Sequence, residues 1–144
     1  MSIDYGVEIP FVRLLGVTLE KFEDGQSVLH FPARPEHCNS FGVAHGGAIM
    51  TLLDICMATA ARSVQRTSGI VTIEMKTSFL RPVQVQTGLP VVARGQLMHR
   101  TRSTAFVQGS VFDVHGELCA HGTGTFKYVT AAVAHDGSST LKTD

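Results

Sequence analysis

The chain has 144 residues, 44% hydrophobic and 17% charged, with 12 basic side chains against 12 acidic ones. This composition excludes a disordered chain and allows a core of its own. The zero formal charge argues against a nucleic-acid-binding domain, which carries a basic excess. Cys38, Cys56 and Cys119 form no C-x-x-C pair, so neither a disulfide framework nor a zinc ribbon is expected, and the expected setting is a reducing cytoplasm. Asp4 and Glu8 stand where a signal peptide would be basic, and no apolar run reaches the roughly 18–20 residues of a membrane span.

Residues 9–15 predict a short helix or a packed lead-in. Residues 16–34 predict a hairpin, with Asp24-Gly25 at its turn. A loop with Pro35, Asn39 and Gly42 follows. A long helix is expected from near Gly46 to Gln65 or Arg66, stopped by Gly69, and it is apolar nearly all round. Four strands come next: 70–80, 89–99, 103–114 and about 117–129. In the first, Val71, Ile73, Met75 and Phe79 alternate with Thr72, Glu74, Lys76 and Ser78. Residues 130–144 read as a loose tail. The expected fold is α+β: a curved antiparallel sheet of about six strands wrapped round one long helix, as a single domain over 1–144 with its core at about 10–128.

The most informative stretch runs from Asn39 to Asp54. It sets a polar loop and His45-Gly46-Gly47 at the start of the apolar helix, then one carboxylate further along. A helix N-terminus offers free N–H donors and a partial positive charge. Such donors stabilise an oxyanion, and a carboxylate serves as base or nucleophile. The pattern reads as an acyl-transfer site. Gly46 and Gly47 allow close backbone approach of a substrate carbonyl, or merely ease packing.

Asp54 is the one acid between Glu36 and Glu74, set among Leu52, Leu53, Ile55 and Met57. A bare carboxylate there requires partners or a function. Asn39 could hold a carbonyl or a water, although on spacing alone an Asx turn is the better reading. His45 could donate to an oxyanion or satisfy loop carbonyls at the helix entry.

Gly46 and Asp54 lie eight residues apart, about 12 Å along a helix axis at 1.5 Å per residue. One reacting carbonyl cannot touch both. If they serve one site, they come from two subunits, and a twofold dimer is expected.

Other chemistries have weaker support. The seven histidines form no H-x-x-x-H or H-x-H pair, so no metal site is expected, and no G-x-S-x-G is present. Between Glu74 and Asp113 the chain carries Lys76, Arg81, Arg94, Arg100 and Arg102 and no acid. These could hold the phosphates of a nucleotide-bearing ligand, with Arg81 and Arg100 as the candidates, or simply face solvent. Phe41, Met50, Met57 and Phe79 are candidate pocket walls.

With Asn39, Gly42, His45-Gly46-Gly47, Leu53 and Asp54 in place, and with Thr72 to Pro82 after them, the chain resembles the hot-dog-fold acyl-CoA thioesterases of the PaaI-like, phenylacetic acid degradation type. The resemblance covers about residues 10–128. It implies that the Gly46 N–H polarises the thioester carbonyl, that Asn39 positions the thioester or water, and that Asp54 of the partner subunit is base or nucleophile. It implies that Thr72 helps hold the water, that no metal or separate cofactor is used, and that coenzyme A enters as part of the substrate. It implies a homodimer, often paired into a homotetramer. The substrate expected is an aryl- or medium-chain acyl-CoA. The alternatives are an acyl-CoA-binding module without turnover, and a hydratase or dehydratase on the same fold.

Overall fold

The computed structural model describes residues 2–133 and 139–142. Helix α1, Pro10–Leu15, opens on a proline, whose fixed φ suits a first turn, and stops at Gly16 with φ 73°. Strands β1 (Thr18–Glu23) and β2 (Gln26–Phe31) form the expected hairpin. Asp24 and Gly25, at φ 52° and 77°, supply the two positive values of its two-residue turn. After a 3-10 turn at Pro35–His37 comes the long helix α2, Gly46–Arg62.

Helix α2 ends three or four residues before the expected Gln65 or Arg66. Ser63 explains the stop: its hydroxyl donates to the Ala60 carbonyl (2.7 Å) and accepts the Gly25 N–H (2.8 Å). A side chain that competes for backbone groups favours a helix end over its continuation.

Strands β3 (Gly69–Phe79), β4 (Val91–Arg100), β5 (Thr104–Phe112) and β6 (Leu118–Val133) complete the antiparallel sheet, in the order β1-β2-β4-β5-β6-β3. A short seventh strand, β7 (Ser139–Lys142), pairs with the end of β6. The tail expected to be loose from residue 130 is therefore strand at 130–133 and 139–142, because the backbone of β6 simply continues its ladder. Residues 134–138 and 143–144 of that expectation lie outside the described residues.

The sheet curls round one side of α2. Gly95 makes this approach possible: a Cβ there would sit 2.2 Å from the Cys56 carbonyl oxygen. The neighbouring Ser27 hydroxyl donates to that same oxygen at 2.6 Å. Leu52, Leu53, Cys56, Met57 and Ala60 bury this side of α2 against Leu29, Phe31, Val107, Val111 and Phe126. The opposite side, with Met50, Asp54, Ile55 and Ala58, is only half-covered. Within one chain the sheet reaches only part of the way around the helix.

The alternation expected in β3 also breaks. Thr72 stands opposite Phe126 and Glu74 opposite Thr125, so Ile73 is an extra residue, a β-bulge. Opposed residues of an antiparallel pair share a face. Phe126 is fully buried in the core, so Thr72 turns toward α2 while Ile73 is left 57% exposed.

Candidate active site

The site begins with the loop before α2. Cys38 and Ala44 pair across it, the Asn39 N–H donates to the Val43 carbonyl, and Gly42 turns the chain at φ 77°. Asn39 Oδ1 accepts the N–H groups of Phe41 (2.9 Å) and Val43 (3.4 Å). The Asx turn is therefore present. It fixes the amide so that the oxygen faces the loop and Nδ2, with its two donors, faces away. The side chain of Asn39 is left with donors to offer, not an acceptor.

His45 caps α2. Its Nδ1 accepts the Gly47 N–H at 2.8 Å, and its carbonyl accepts from Ala48 and Ile49. An accepting Nδ1 in a neutral ring leaves the proton on Nε2. Among the described residues, no acceptor takes the Gly46 N–H. Gly46 is thus the available donor at the positive end of α2. The Gly47 N–H is taken by the His45 cap, and a Cβ there would lie 3.0 Å from His45 Nδ1.

Two turns further along α2, Asp54 Oδ1 accepts a 2.6 Å hydrogen bond from the Thr72 hydroxyl. The carboxylate is half-buried. It stands between two clefts. One, about 460 Å³, runs along Ile55, Ala58 and Arg62 under the N-terminal segment at Tyr5 and Ile9. The other, about 370 Å³, is bounded by Phe11, Met50 and Met75. The first has a volume typical of small-molecule sites. Beneath Asp54, the Cys56 thiol is pushed up by burial first and by the Asp54 charge second. A thiol so held is a poor nucleophile.

The remaining candidates are scattered. Phe41 stands at the loop tip, 87% exposed. Arg81 pairs with Glu117 at 3.2 Å, near the start of α2, where the Phe79 ring faces Gly46. Arg100 donates to Gln65 at 2.8 Å, beyond the other end of α2. One subunit brings Asp54 and Thr72 together. Gly46, His45 and Asn39 gather about 12 Å away at the helix start. The cleft walls Tyr5, Ala58 and Arg62 were not anticipated, although Asp54, Ala58 and Arg62 recur at the four-residue spacing of one helix face.

The comparisons agree with this architecture. The sequence profile of the thioesterase superfamily matches residues 41–120. A Saccharolobus solfataricus protein, by name a presumed esterase, is 30% identical over 114 residues, 79% of each chain. A conserved protein of Pseudomonas aeruginosa superposes with a TM-score of 0.78 at 28% identity, covering 86% of this chain and 97% of its own. A mutant of the phenylacetic acid degradation protein PaaI from Thermus thermophilus does so with 0.72 at 28%, covering 83% and 98%. These likenesses support a thioesterase-type hydrolase. The chain belongs to the thioesterase superfamily, as a PaaI-like protein on the hot-dog fold.

Proposed function

We propose that this protein hydrolyses an aryl- or medium-chain acyl-CoA to the free acid and coenzyme A. The observation that carries the reading is the Asp54–Thr72 hydrogen bond at the mouth of a cleft with apolar walls. Thr72 orients one carboxylate oxygen, and the other remains open to a water. In the general-base form, Asp54 takes a proton from that water as its oxygen attacks the thioester carbon. Negative charge builds on the carbonyl oxygen and the carbon–sulfur bond then breaks, releasing the thiolate. In the nucleophile form, the carboxylate attacks first, the carbon–sulfur bond breaks to release the coenzyme A thiolate, and water cleaves the resulting anhydride to the free acid and the regenerated carboxylate.

The oxyanion is held by the Gly46 N–H of a second copy, with the Asn39 amide beside it and His45 keeping the helix start in shape. Distance within one chain supports a homodimer, or a homotetramer built from two dimers: the Gly46 donor lies too far from Asp54 of its own subunit. The half-covered side of α2, with Met50 41% exposed, supports the same assembly. Coenzyme A is part of the substrate and no further cofactor takes part. The three free cysteines fit a cytoplasmic setting. Thiol release from a panel of acyl-CoAs tests the reading, with crotonyl-CoA hydration followed in parallel. Hydration without thiol release would replace it by a hydratase.

A further inference from the structure

The cleft beside Asp54 ends in positive charge. From Asp54 its wall follows Ile55 and Ala58 to Arg62 and Arg66. Both guanidiniums gather over the Phe22 ring, their central carbons 5.6 and 4.2 Å from its centroid. Arg62 donates to the carbonyls of Tyr5 (2.6 Å) and Arg66 (3.4 Å), and Arg66 donates to the carbonyl of Phe22. A guanidinium has five N–H donors, so most remain open.

Among the described residues, no carboxylate lies within ion-pair distance of either arginine. The acid on that rim, Glu8, is held by Arg13 at 2.9 Å. Partial burial, then the like charge of Arg66, pushes the Arg62 guanidinium down. An anion between the two would offset the like-charge repulsion.

We propose that the acyl group of the substrate ends in a carboxylate, held by Arg62 and Arg66 while its thioester lies at Asp54. The inference rests on the thioesterase reading and gives it a substrate class, the ω-carboxyacyl-CoAs. Asp54 and Arg62 are eight residues apart on one helix face, about 12 Å along its axis. A chain of medium length spans that distance, with its methylenes along Ile55 and Ala58. Forked, planar donors suit a carboxylate well.

The test compares kcat/KM for octanoyl-CoA with a series from glutaryl- to sebacyl-CoA. A carboxylated member, expected near suberyl-CoA, should exceed octanoyl-CoA by about tenfold or more. Arg66→Gln should cut that preference by about tenfold, and Arg66→Lys should retain much of it. Arg62→Gln also loosens the contact to Tyr5, so the Arg66 pair carries the decision. Equal losses for both substrates in Arg66→Gln, with weaker inhibition by adenosine 3′,5′-bisphosphate, would assign the arginines to the coenzyme and overturn the proposal. Hydrolysis of octanoyl-CoA with no preferred carboxylated chain would overturn it and leave the thioesterase reading intact. Hydrolysis of no acyl-CoA at all would remove both.

Discussion

Asp54 and Thr72 meet across a 2.6 Å hydrogen bond although one lies on the central helix and the other on an edge strand. The bulge at Ile73 makes the meeting possible. Strict alternation along β3 would group Thr72 with Glu74, Lys76 and Ser78. The extra residue instead puts Thr72 on the face of Met75 and Thr77, toward the helix. Bulges commonly re-aim a side chain beside an active site.

Thr72→Val should therefore impair turnover while leaving the fold intact. Hydrogen bonds to charged groups contribute about 1.5–3 kcal/mol, so kcat should fall roughly 10- to 100-fold. Thr72→Ser should restore most of it. Equal activity of the valine and serine variants in steady-state assays would show that the hydroxyl has no part in orienting Asp54.

Gly46 can be tested by removing one hydrogen-bond donor. Proline is well suited to the first position of a helix and has no N–H. His45, at φ −62° and ψ 139°, already has the backbone that precedes a proline. Gly46→Pro should keep the helix and lose about 10²–10³ in kcat, the usual cost of a missing oxyanion donor. Gly46→Ala keeps the N–H, and its Cβ would meet the Phe79 ring at an ordinary 3.6 Å. The alanine variant should stay far more active than the proline one, and circular dichroism should find both folded.

Mixing the two lesions tests whether the site is shared between subunits. Gly46→Pro and Asp54→Asn homodimers should each be nearly inactive. After subunit exchange, a mixed dimer has one site with both lesions and one with neither. Activity should then rise clearly above that of either parent. No gain after exchange, verified with tagged subunits, would mean that Gly46 and Asp54 do not build one site from two chains.

Stability should depend on alkaline pH through Cys56. Burial and the Asp54 charge raise its thiol above the ordinary value of 9.0. Below that value the thiol is protonated in both states and the native contribution is complete. As pH rises through it, the unfolded chain releases a proton that the folded chain retains, so stability falls. Urea midpoints should decline above about pH 9, and less steeply in Cys56→Ala. Tyr5 and Tyr128 are also pushed up by burial and add to the decline at higher pH. Parallel curves for wild type and Cys56→Ala would exclude Cys56 as the source.

Features set by local chemistry were legible from the residues alone. Asp24-Gly25 marks its hairpin because few residues accept two positive φ values. His45-Gly46-Gly47 marks the helix start, and Asp54 stands out as a lone acid in an apolar run. Features set by distant contacts were not. The helix stops at Arg62 because Ser63 bonds Gly25, which comes from the first hairpin. The bulge at Ile73 is a property of pairing with β6, and a period-two reading of β3 misses it. Gly47 reads from the sequence as open backbone at the helix start, and the His45 ring that takes its N–H shows only in the folded chain. The cleft beyond Asp54 needs the N-terminal segment folded back over α2, which no local pattern encodes.

The most direct test of the account is thiol release by wild type and by Asp54→Asn, side by side on the best acyl-CoA of the panel. Asparagine keeps the size of the side chain and can still meet Thr72, but it can neither take a proton nor attack a carbonyl. The account predicts a loss of about 10²–10⁴ in kcat, with an unchanged circular dichroism spectrum and melting temperature. A folded Asp54→Asn protein that keeps a large fraction of the wild-type rate would contradict it.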